Sequence, residues 1–142
     1  MYSNDRRQMR QPFLDAWQKH REGRPMTALE LKITDVIGQH PEYQDLMSDP
    51  ERALEKDWLP ENGETNPFLH LGFHLSIREM VEIDQPPGFR KQYQELSRKT
   101  GDILAAEHLI MECLSEALWR AQRDGTEPDS AALLRCISEI RT

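Results

Sequence analysis

The stretch Asn66-Pro67-Phe68-Leu69-His70-Leu71-Gly72-Phe73-His74-Leu75-Ser76-Ile77-Arg78-Glu79-Met80-Val81-Glu82-Ile83 decides the fold. Asparagine can accept hydrogen bonds from the exposed amides of a first helical turn, and a proline just after it has no amide to leave unpaired. The pair therefore predicts a helix start, with the helix running to Ile83. At about 100° per residue, Leu69, Phe73, Ile77 and Met80 make its main apolar face, and Phe68, Leu71 and Leu75 add apolar surface behind it. A helix apolar on two sides belongs at the centre of a helical protein.

The same three- and four-residue apolar spacing recurs on both sides of this stretch, and alternating runs of β-branched residues do not occur. The expected fold class is all-α: one compact bundle of six or seven helices forming a single domain over residues 1–142, with residues 1–10 flexible. Phe13, Leu14 and Trp17 face inward from a first helix that ends at Gly23 to Pro25. Thr27 and Glu30 have the spacing of a capping box, opening a helix lined by Leu29, Ile33, Val36 and Ile37. His40-Pro41 and Asp49-Pro50 each restart the chain, because proline biases the residue before it away from helix. Residues 59–65 read as a loop. Further helices are expected over 89–99, over 102–123 between the breaks at Gly101 and Gly125, and from Asp129 or Ser130, with Leu133, Leu134, Ile137 and Ile140 buried.

A chain of 142 residues, 37% hydrophobic and 30% charged, has enough apolar material for a core. The first residues lack the apolar run of a secretory signal, and the most apolar window is about half the length of a membrane span. A cytoplasmic protein without membrane contact is expected. The net charge of −7 disfavours nucleic acid as a partner, and the six basic residues among the first 24 read as a solvated helix face. Cys113 and Cys136, the two cysteines, stand far apart in sequence and read as reduced core residues. Gly-rich phosphate loops and nucleophile elbows are absent, so catalytic residues remain unknown.

His70 and His74 stand four residues apart, so their imidazoles leave the helix on one side, where two neutral ring nitrogens can share one divalent ion. Glu107, His108 and Glu112 on the 102–123 helix are further ligand types, and His40 is an additional candidate. Glu107 falls inside an apolar face marked by Ile103, Ile110, Leu114 and Ala121. A carboxylate there needs a cation, a histidine, a metal or a hydrogen-bond donor as partner. His108 and Glu112 lie on an adjoining stripe with Trp119, so either Glu107 or the His108/Glu112 pair is structural. His20 is expected to be exposed.

Four segments carry a family resemblance: His40 to Tyr43; Asn66 to His70 continuing through His74 to Ile77-Arg78-Glu79; Asp84 to Gly88; and Glu107-His108 through Trp119 to Arg123. In these the chain resembles small bacterial proteins grouped only as a domain of unknown function. The resemblance covers most of the chain after about Thr27 and implies no activity, cofactor or catalytic residue.

Two functional expectations follow. In one, the bundle holds a divalent ion, zinc or iron, through His70 and His74 together with Glu107, or alternatively together with His108 and Glu112. In the other, it is a non-catalytic scaffold whose buried histidines fix helix register while an exposed face engages a protein partner. Trp58 and Trp119 are candidates for that face, although large aromatics at helical spacing more often pack inward.

Overall fold

The computed structural model describes residues 2–142, with side chains for all of these except 2–4 and 60. Eight α-helices occur among the described residues: α1 (Tyr2–Glu22), α2 (Ala28–Gly38), α3 (Gln44–Met47), α4 (Pro50–Glu55), α5 (Pro67–Ile83), α6 (Phe89–Thr100), α7 (Ile103–Asp124) and α8 (Ser130–Ser138). Short 3-10 turns at Pro41–Tyr43 and Pro60–Asn62 complete the set, and none of the described residues forms a strand. The all-α expectation holds. The count exceeds the expected six or seven because the four-residue α3 stands as a separate helix.

Local chemistry sets these boundaries. The Thr27 hydroxyl accepts from the Glu30 amide at 3.1 Å while the Glu30 carboxylate accepts from the Thr27 amide at 2.9 Å, closing the expected capping box. The Asn66 side chain accepts from the Phe68 amide at 2.9 Å and the Leu69 amide at 3.4 Å. Helices α6 and α7 end on Gly101 and Gly125, both at positive φ, where a side chain would strain the turn.

Contacts divide the chain into two compact units, residues 1–75 and 76–142. In the first, α1 packs on α2, α3 and α4. Its core holds Leu14, Ala16, Trp17, Ile33, Val36, Ile37, Leu46, Met47, Ala53, Leu54, Phe68 and Leu71, with Trp58 partly buried against them. Arg10 is also buried here. Its guanidinium donates to the carbonyls of Ala53 (3.0 Å), Leu54 (3.3 Å) and Lys56 (2.9 Å), satisfying the end of α4, and lies over the rings of Trp58 and Phe68. A charged donor to a carbonyl contributes about 1.5–3 kcal/mol, so the Arg10 head belongs to the core as fully as its neighbours.

In the second unit, α6, α7 and α8 pack pairwise around Phe89, Leu96, Ile110, Leu114, Leu133 and Ile137. Cys113 and Cys136 form a disulfide joining α7 to α8. This corrects the expectation of reduced thiols. Sequence separation is a poor guide here, because the turn after Gly125 folds α8 back along α7 and brings the two Cα atoms to 5.8 Å.

Three apolar positions are also corrected. Leu29 on α2, Leu69 on α5 and Ile103 on α7 are exposed. Each lies in the first turns of its helix, where the ideal wheel continues beyond the surface available to cover it. On α5 the buried stripe is Phe68, Leu71, His74 and Ile77, so the core side runs through a histidine rather than through Leu69. None of the described helices is long and apolar enough to cross a membrane.

Candidate metal centre

The three-histidine cluster of the first unit grows from two local features. Helix α5 projects His70 and His74 one turn apart, and the end of α2 delivers His40. His40 has φ −124° and ψ 72°, outside the helical region that the following proline disfavours, at the turn where α2 gives way to the Pro41–Tyr43 segment. It is 3% exposed, His74 is fully buried, and His70 is half-buried.

The rings converge. Their centroids are separated by 5.2 Å for His40 and His70, 4.7 Å for His40 and His74, and 4.9 Å for His70 and His74. Each residue offers a ring nitrogen within 4.8 Å of the others. The Nε2 atoms of His70 and His74 are 3.3 Å apart. Nitrogens at two corners of a tetrahedral site with bonds of about 2.0–2.1 Å are separated by about 3.3–3.4 Å, a length that this spacing matches.

His40 is oriented from behind. Its Nδ1 lies 2.8 Å from the Val36 carbonyl oxygen. A carbonyl can only accept, so Nδ1 is the donor in this contact; in the neutral ring that places the lone pair on Nε2, the tautomer that a histidine ligand requires. The Tyr43 ring stacks on the other side at 5.5 Å with planes 2° apart, and stands edge-on to His70 at 6.0 Å. Burial raises the Tyr43 phenol pKa above its ordinary range, so the residue stays neutral beside the imidazoles. The sequence marks Tyr43 only as the end of a segment that carries the family resemblance, not as a partner of His40. Its offset of three from His40 across a Pro41 turn is the signal that was available.

Glu107 has a different setting, in the second unit. It is fully buried, and its carboxylate accepts from Arg78 Nε at 3.0 Å, Arg78 Nη2 at 3.1 Å and the Tyr93 hydroxyl at 2.6 Å. The required partner of the buried acid is thus a cation together with a hydroxyl donor. Burial, followed by the bond to Glu107, pushes the Tyr93 phenol far above its usual range and keeps it protonated as the donor. His108 and Glu112 lie on the exposed side of α7, and His20 is exposed on α1 with its ring stacked on Trp17. Trp119 is exposed, with the Arg123 guanidinium over its ring, while Trp58 packs against the first unit's core.

Residues 5–139 match the family described as a domain of unknown function (DUF1841), and the chain belongs to that family. Neither the curated proteins nor the solved structures contain a significant match to it.

Proposed function

We propose that this member of the family binds one divalent transition-metal ion, zinc or iron, through ring nitrogens of His40, His70 and His74. The observation that carries the reading is the 3.3 Å separation of the His70 and His74 Nε2 atoms beside a third imidazole whose Nδ1 is committed to a backbone carbonyl. Three neutral imidazoles suit borderline metals such as zinc and iron better than magnesium or calcium, which favour oxygen ligands. In this reading Glu107 is structural. His40, His70 and His74 would hold the ion, which would supply an acidified water for hydrolysis if it is zinc, and a change of oxidation state as well if it is iron.

The scaffold reading has its own support, since 3.3 Å is also hydrogen-bond distance and a donor–acceptor pair of imidazoles would satisfy two buried rings. Metal content separates the two. Untagged protein, purified and analysed for metals, is expected to carry about one equivalent of zinc or iron per chain. Chelator is expected to lower its melting temperature, because a ligand at about 100 times its dissociation constant adds about 2.7 kcal/mol of stability. The double variant His70→Ala, His74→Ala is expected to lose the chelator response. Sub-stoichiometric metal after reconstitution, with melting curves that superimpose with and without chelator, leaves the scaffold reading. A His108→Ala arm tells whether that sequence-expected ligand contributes.

A further inference from the structure

Helix α8 has nine residues, too few to persist alone in water. What fixes it is the burial of Leu133 and Ile137, a bond from Gln92 Nε2 to the Leu134 carbonyl at 3.0 Å, and the covalent link from Cys136 to Cys113 on α7. Beside that link runs a groove of about 460 Å³, lined by both cysteines and by side chains of α7, α8 and the turn joining them. The two cysteines are not equivalent. Cys113 is 5% exposed, whereas Cys136 is half-buried.

We propose that the Cys113–Cys136 disulfide is a thiol-modification site, at which a low-molecular-weight thiol enters the groove, attacks Cys136 Sγ and opens the link that fastens α8. Thiol–disulfide exchange needs a path to one sulfur with the other as leaving group, and only Cys136 combines partial exposure with a groove. Five acidic residues and three arginines (Arg120, Arg123, Arg135) line the groove, so its charge is mixed with an acidic excess, and a small thiol that carries an ammonium group as well as carboxylates is not repelled as a purely anionic one would be. The chemistry balances. A thiolate forms a bond to Cys136 Sγ, the Sγ–Sγ bond breaks, and Cys113 Sγ leaves with the electron pair and takes up a proton. A second thiolate then attacks the sulfur of the bound thiol, and Cys136 Sγ leaves and is protonated. Two thiols are oxidised to one disulfide as the protein disulfide is reduced to two thiols.

Reduction removes a constraint between positions 23 residues apart. Loss of such a cross-link raises the equilibrium constant for local opening by roughly 300-fold on the loop-entropy account.

The test uses the full chain. Denatured without reductant, it is expected to take up no alkylating agent at either cysteine. A short pulse of glutathione, quenched with acid and mapped by peptide mass, is expected to place glutathione on Cys136. Amide exchange over residues 130–138 is expected to rise about 300-fold after dithiothreitol treatment, and likewise in the double variant Cys113→Ser, Cys136→Ser. Free thiols before reduction, glutathione on Cys113 or equally on both, or exchange within twofold of the oxidised protein in the reduced wild type would each overturn the proposal. The wild-type arms decide the matter even if the double variant does not fold, and none of them depends on metal.

Discussion

Glu107→Ala is expected to cost about 3–5 kcal/mol of unfolding free energy, measured by urea titration against the wild type. The carboxylate is fully buried and accepts from both Arg78 and Tyr93. Truncation leaves a guanidinium only 21% exposed and a phenol without their acceptor, and it opens a void among well-packed neighbours. Tyr93→Phe keeps the ion pair and removes one hydroxyl donor, so a smaller cost of about 1–2 kcal/mol is expected. A loss below about 1 kcal/mol in Glu107→Ala would show that the Arg78 head reaches water and that desolvation had cancelled the pair's attraction.

Single replacement of His40, His70 or His74 by alanine is expected to weaken zinc binding by at least about 100-fold, measured by competition with a chromogenic chelator. Loss of an outer-shell partner alone typically costs about 10–100-fold, and loss of a direct ligand exceeds it. His40→Ala is the most informative of the three. His70 and His74 share a helix and converge through its pitch alone, whereas His40 arrives from another element and is held by the Val36 carbonyl. His20→Ala is the matched control, since that imidazole is exposed on α1 and stacks on Trp17. Circular dichroism of each variant separates loss of a ligand from loss of the fold. Wild-type affinity in His40→Ala would reduce the centre to a two-histidine clamp.

The helix architecture was readable because it is written in short-range chemistry. Thr27 with Glu30, Asn66 with Pro67, and the stops at Gly101 and Gly125 act over three or four residues, and each occurs where the sequence places it. The exposed Leu29, Leu69 and Ile103 show the limit, because periodicity gives a direction and not whether a neighbour covers it. The site was partly legible for the same reason. The pairing of His70 with His74 is local, and the need of Glu107 for a partner follows from the apolar face around it. That the partners are Arg78 and Tyr93, that His40 closes on the other imidazoles, and that Cys113 meets Cys136 depend on chain reversals no local pattern encodes.

The placement of the indole rings has an optical consequence. Trp17 and Trp58 pack within the first unit, the latter beneath the Arg10 guanidinium, whereas Trp119 is 59% exposed on α7. An indole already in water changes its emission little when the chain around it melts. Intrinsic fluorescence therefore follows residues 2–75, where His40, His70 and His74 lie, and is nearly blind to the remainder, whose unfolding has to be followed through backbone ellipticity.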